Sequence, residues 1–133
     1  MIPPFNDDGY LPPGIHHATL EEIASRFGQE SELRRVEMES LRWLVELAWR
    51  AGVQRIIVNG SFVTDKLDPN DVDCVLLIGA DFPHDAAAEA ELIAGLPFLN
   101  LELADEERFG FFTERTFSTD RNLVAKGMLE VRP

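Results

Sequence analysis

The sequence predicts an α/β (α+β) domain in which helices pack on a small mixed β-sheet. Three observations lead there. Apolar residues recur at helical spacing from about Ser31 to Ala51. Two short apolar runs, Arg55–Asn59 and Asp71–Ile78, have the length and β-branched content of buried strands. Helical and extended patterns then alternate to the end of the chain. With 133 residues the chain is large enough for one hydrophobic core and too short for two.

Residues 1–17 hold Pro3, Pro4, Pro12, Pro13 and Gly14. Proline fixes φ and removes a backbone donor, so this arm is expected to be an extended lead-in rather than a helix or a central strand. The single domain is then residues 18–133. Thr19 followed by Glu22 reads as a capping box that starts a short helix ending near Phe27–Gly28. In the longer helix, Leu33, Val36, Leu41, Leu44, Val45 and Ala48 form the apolar series. Arg34, Arg35, Glu37, Glu39, Arg42 and Glu46 form its expected polar face, and Gly52 is the stop. Trp43 and Trp49 are too far out of phase for one stripe, so one is expected in the core and the other partly exposed or at an interface.

The strand Arg55–Asn59 leads straight into Gly60-Ser61-Phe62, and Asp68-Pro69-Asn70 marks a turn before the strand Asp71–Ile78. Ala86–Ala94 contains strong helix formers and stops at Gly95. Phe98–Leu103 reads as a third strand and Met128–Val131 as a last one. Between them, Phe109, Phe111, Phe112 and Phe117 are expected to close the core over the sheet. Their neighbours Arg108, Arg115, Arg121 and Lys126 form the densest positive patch, at the place where the tail could complete a nucleotide pocket.

The chain carries 24 acidic against 12 basic residues, a formal charge of −12. Such a surface repels phosphate backbones, which argues against long nucleic acid as a partner. A nucleotide stays admissible, because a bound divalent cation inverts the local field. No apolar run reaches the roughly 20 residues needed to cross a bilayer, and MIPPFNDDGY lacks the pattern of a signal peptide. Cys74 is the single cysteine. The expectation is a cytoplasmic protein without disulfides.

Alternate residues of a strand share a face, so Asp71 and Asp73 point the same way, roughly 6–7 Å apart at Cα. Val72 and Cys74 point the other way. Like charges so placed repel and favour protonation unless a cation holds them ionised. Mg²⁺ or Mn²⁺, with their preference for oxygen ligands, suit that need. Gly60 lets backbone approach a ligand closely, and Ser61 adds a hydroxyl donor. A phosphate cradle beside a carboxylate pair suits nucleoside triphosphate chemistry.

The stretch NGSFVTDKLDPNDVDCVLL, Asn59 to Leu77, resembles the signature of the polymerase-β-like nucleotidyltransferase superfamily: a Gly-Ser turn, about ten residues, then Asp-x-Asp at a strand start. LPPGIHHATLEE (Leu11–Glu22) and KGMLEV (Lys126–Val131) resemble a group of small bacterial stand-alone domains of this type. The resemblance implies a minimal nucleotidyltransferase fold moving a nucleoside monophosphate from an NTP to an acceptor it does not specify, with a protein or an RNA as candidates. It implies that Gly60 and Ser61 hold phosphates, with Lys66 the nearest positive charge in the loop. Asp71 and Asp73 would ligate metal, and a third carboxylate would come from a neighbouring strand. Glu102 is the candidate, with Asp105 behind it. Two features depart from the pattern: Phe62 and Val63 follow Gly-Ser, and the usual third aspartate is at best Glu102. They motivate the alternative of a catalytically degenerate module, such as an antitoxin-like regulator of a protein partner, since small members of the superfamily often occur in toxin–antitoxin pairs.

The plainer readings compete with this one. An Asp-x-Asp pair after a turn is commonly a solvated strand edge, and only the Gly-Ser bend at the right distance lifts it above that. Cys74 lies opposite the aspartates and reads as a buried structural thiol. His16 and His17 read as arm residues beside a helix start, and His84 as the opening of a helix.

Overall fold

In the computed structural model, residues 2–133 are described. The elements in order are strand β1 (Gly14–Ala18), helices α1 (Leu20–Phe27) and α2 (Glu32–Ala51), strands β2 (Arg55–Asn59) and β3 (Val72–Leu77), helix α3 (Ala86–Ala94), strand β4 (Leu99–Ala104), helix α4 (Glu106–Phe111) and strand β5 (Gly127–Val131). A 3-10 turn, Ser61–Val63, follows β2, and a π-helical turn, Phe112–Thr116, continues α4. The expected α+β architecture is therefore present. The five strands lie in the order β1-β5-β2-β3-β4. The outer pairs β1–β5 and β3–β4 are parallel and the inner pairs are antiparallel, which makes the sheet mixed.

Local chemistry explains the boundaries. Thr19 and Glu22 form the capping box at α1, the Thr19 hydroxyl accepting from Glu22 N and the Glu22 carboxylate from Thr19 N. Ser31 caps α2, and Gly52 ends it in the left-handed region at φ 94°, where a side chain would be strained. Asp85, not His84, caps α3 by accepting from Ala87 N and Ala88 N. His84 instead donates its backbone N–H to Ala51 O and meets Asp81 through its ring.

The two sheet faces bury two separate clusters. Ile56, Val58, Val72, Cys74, Leu76, Leu129 and Val131 join α1, α2 and α3 in the main core. Ile57, Val75, Leu77, Ala104 and Met128 meet Phe109 on the other face, with Phe112 and Phe117 packed at the margin. The aromatic tail thus closes the second face as expected, except that Phe111 is 58% exposed.

Three further expectations need correction. The last residues of the arm are not a free lead-in: Gly14 to Ala18 pair with Gly127 to Val131 as an edge strand. The prolines stop at position 13, so every residue of that strand keeps its donor. Second, α2 presents the series Arg34, Glu37, Met38, Leu41, Leu44, Val45 and Ala48 inward, while Val36 is 49% exposed. Arg34 sits on the buried side because the first turns of α2 face a loop of unpaired carbonyls rather than an apolar wall, whereas the buried Glu37 carboxylate has no hydrogen-bond partner there. Third, Trp43 and Trp49 are both half-buried against the main core.

Candidate functional site

Where β2 ends, Gly60 adopts φ 82° and ψ −167°, a conformation that excludes side chains. A β-carbon there would also collide with the Asp73 carboxylate. Glycine at this bend is therefore fixed by backbone geometry and by contact with the opposite strand. Ser61 to Val63 then wind into the 3-10 turn, and the Thr64 hydroxyl closes it by donating to Ser61 O at 2.7 Å.

Arg34 holds this loop from beneath. Its guanidinium, 2% exposed, donates to Phe62 O at 2.7 Å, Thr64 O at 2.9 Å and Lys66 O, and reaches Phe27 O at 3.0 Å. Five fixed donors in one plane suit a ring of carbonyls that secondary structure leaves unpaired. Glu37, one turn on and fully buried, has no hydrogen-bond partner at either carboxylate oxygen. Burial pushes its carboxyl up to about 7, against the pull of Arg34, and Asp71 and Asp68 push the same way.

Asp71 and Asp73 converge as the strand period requires, and Asn100 joins them. Parallel register sets Asn100 beside Asp73. Its amide nitrogen donates to Asp71 Oδ2 at 2.7 Å and to Asp73 Oδ1 at 3.1 Å. On the other side, antiparallel register sets Asn59 beside Asp73. Asn59 is 2% exposed; its amide nitrogen donates to Phe117 O, and its oxygen has no partner. Desolvation raises the Asp73 carboxyl above the ordinary carboxylate range, and Asp71 adds to this; Asn100 and Lys126 oppose it. Lys126 is half-buried, and desolvation lowers its ammonium despite Asp73 and Asp120 nearby.

The remaining candidates are less closely grouped. Glu102 stands on the same face as Asp73, one pleat beyond Asn100, and makes a 3.5 Å contact with Arg108 in which both side chains are more than half exposed. Asp105 lies beyond β4 and caps α4 through Arg108 N. Lys66 is exposed and lines a different cleft, with Phe5, Arg26 and Glu30. Cys74 is buried on the opposite face, where burial drives its thiol strongly upward. Among the described residues no three acidic, histidine or cysteine groups converge as a ready metal cage.

Asn59, Asn100, Arg34 and Glu37 were not singled out from the sequence as site residues. Asn59 directly precedes Gly60 and was open to notice. Asn100 needed the β3–β4 register, and Arg34 and Glu37 needed the helix phase.

A Gly60 bend, two carboxylates sharing one amide, and an orphaned buried amide oxygen beside them make an oxygen-rich corner. Such a corner is suited to a small hard cation. The chain belongs to the family described as a family of unknown function (DUF6932), whose model matches residues 3–132. No curated protein and no solved structure matches it.

Proposed function

We propose that this member of the family transfers a nucleoside monophosphate from an NTP to an acceptor at the corner formed by Gly60, Asp71 and Asp73. The observation that carries the reading is the closure of Asp73 onto Gly60 with Asp71 and Asn100 alongside. The glycine bend after β2 touches Asp73 at the start of β3, and Asn100 links Asp73 to Asp71. In the transfer, the bond between the α-phosphorus and the bridging oxygen breaks, a bond to the acceptor oxygen forms, pyrophosphate leaves, and the acceptor's proton passes to solvent.

The donor set fits Mg²⁺ or Mn²⁺. Asp71 and Asp73 would hold it, and the unpartnered oxygen of buried Asn59 stands beside them. A divalent ion there would orient the phosphates and offset the charge that develops on them. Glu102 is the third carboxylate of this reading. Sheet spacing puts its Cα roughly 8 Å from that of Asp73. Only an exposed ion pair, worth about 0–1 kcal/mol, holds it to Arg108.

The chain's own residues set the rest. Gly60 sets the bend, buried against the Asp73 carboxylate, and the half-buried Ser61 beside it can donate from its hydroxyl. Arg34 fixes the loop that carries both. Lys66 stands apart from this corner, so Lys126 on the Asp73 side is the better cation for a phosphate. No helix among the described residues is long and apolar enough to cross a membrane. The reading places the chain in the cytoplasm, where NTPs are abundant and a lone buried thiol stays reduced.

A second reading rests on Asn100, an amide at the place beside Asp73 where a carboxylate would strengthen a metal site. On that reading the domain is a degenerate module that binds a partner protein, as an antitoxin-like regulator would. One experiment separates the two. Incubation with labelled NTP, Mg²⁺ and candidate protein or RNA acceptors should give transfer that Asp73→Ala abolishes. Transfer persisting undiminished in that variant sinks the enzyme reading. A partner still bound and regulated by the Asp71→Ala/Asp73→Ala protein supports the module.

A further inference from the structure

We infer that the cleft leading from Asp73 to Phe112 and Phe117 receives the nucleobase of the bound nucleotide; this rests on the phosphate and metal reading of the Gly60–Asp73 corner. The cleft has a volume of about 300 Å³, and Asp73, Asn100, Glu102, Phe112 and Phe117 line it. One end is therefore the carboxylate corner and the other a pair of phenyl rings. A ligand that fits both must be ionic at one end and flat and aromatic at the other, as a nucleotide with its metal ion is.

The backbone has an irregularity that builds the aromatic end. Five residues along an α-helix turn a side chain roughly 140° away at 3.6 residues per turn. The π-helical turn instead bonds Phe117 N to Phe112 O at 2.8 Å. The two rings then stand 5.7 Å apart at a 50° tilt on one side of the chain. Single π-turns recur at functional sites because they realign side chains at a cost in helix regularity. The same rings sit only at the margin of the second core, half-buried. Asn59 donates its amide to Phe117 O and so ties the aromatic end to the Asp73 corner. Aromatic faces hold bases of any sequence by stacking.

The test is calorimetric titration of the full-length protein, with Mg²⁺ present, by ATP and separately by inorganic tripolyphosphate. ATP should bind the wild type more tightly than tripolyphosphate. Phe112→Ala should weaken ATP roughly tenfold or more, the loss expected for one base–aromatic stack, and leave tripolyphosphate unchanged. Phe112→Leu keeps the apolar bulk at the core margin and should show the same selective loss to a smaller degree. Phe111→Ala, exposed and outside the cleft, should change neither ligand. Unchanged ATP affinity in the folded Phe112 variants overturns the inference, as does a parallel fall for both ligands. A wild type that binds neither ligand overturns the phosphate reading itself. A wild type that binds both, with Phe112 silent, removes only the base cleft.

Discussion

Asp73 sets its carboxylate against the α-carbon of Gly60 so closely that no β-carbon fits between them. Beyond the five-residue pairing of β2 with β3, one side chain thus rests on the backbone just past the end of β2. Gly60→Ala should destabilise the fold by about 1–3 kcal/mol, because a side chain is strained at φ 82° and must displace Asp73. Asp73→Ala removes the collision and leaves the backbone strain. A double-mutant cycle by urea denaturation should therefore give a coupling of about 1 kcal/mol that favours the pair. Strict additivity would show that Asp73 yields to the added methyl at no cost and that backbone strain alone sets the loss.

Arg34 is the residue whose loss should unsettle the loop most. A lysine at 34 keeps the charge but reaches fewer of the carbonyls of Phe27, Phe62, Thr64 and Lys66. Each buried acceptor left unpaired costs about 1–3 kcal/mol. Arg34→Lys is expected to lose about 2–4 kcal/mol in denaturant unfolding, together with earlier amide exchange at residues 62–66 than in β3. Stability within 0.5 kcal/mol of wild type, a figure typical of indifferent surface changes, would refute the clamp.

Glu37 makes stability depend on pH. Its carboxyl ordinarily titrates near 4.5 and is held near 7 in the folded protein, chiefly by burial and also by Asp71 and Asp68, with Arg34 opposing. The folded state therefore keeps a proton that the unfolded chain releases, and stability falls as pH rises from about 4.5 to 7, then levels. A shift of this size corresponds to at most about 3 kcal/mol. Glu37→Gln should flatten that slope and be the more stable protein at pH 8, by about 2 kcal/mol, as read from urea midpoints at pH 5 and pH 8. A wild-type curve flat across that window would place Glu37 in contact with solvent.

How much of this was legible in the sequence depends on the range of the interaction involved. Helix limits were legible because Thr19, Ser31, Gly52 and Gly95 act on backbone within a few residues. The shared face of Asp71 and Asp73 was legible because the strand period is local. Arg34 and Glu37 misled because charged residues on a helix default to solvent. For Arg34 the tertiary position of the 61–66 loop, with its unpaired carbonyls, reverses that default; Glu37 is buried without a hydrogen-bond partner. Asn100 was invisible because a parallel partner is reached through a crossover helix, here α3, and no local signal sets its register. The β1 strand was obscured by the prolines just before it.

Asn100→Asp tests the site most directly, because it puts a third carboxylate where an amide now joins two. Without metal, the substitution removes a donor to Asp71 and Asp73 and adds a negative charge beside a carboxyl already raised by burial. Apo stability at pH 8 should fall by about 1–3 kcal/mol, since the folded state must either crowd three charges or retain a proton. The loss should shrink as pH drops through the raised carboxylate range. A divalent cation reverses the sign of the added charge's effect, so millimolar Mg²⁺ should restore the variant by more than it raises the wild type. Thermal melts of both proteins with and without Mg²⁺, at pH 6 and pH 8, supply the comparison. If Mg²⁺ lifts both proteins equally, position 100 takes no part in holding the cation; if it lifts neither, the carboxylate pair is no more than a hydrogen-bonded strand end.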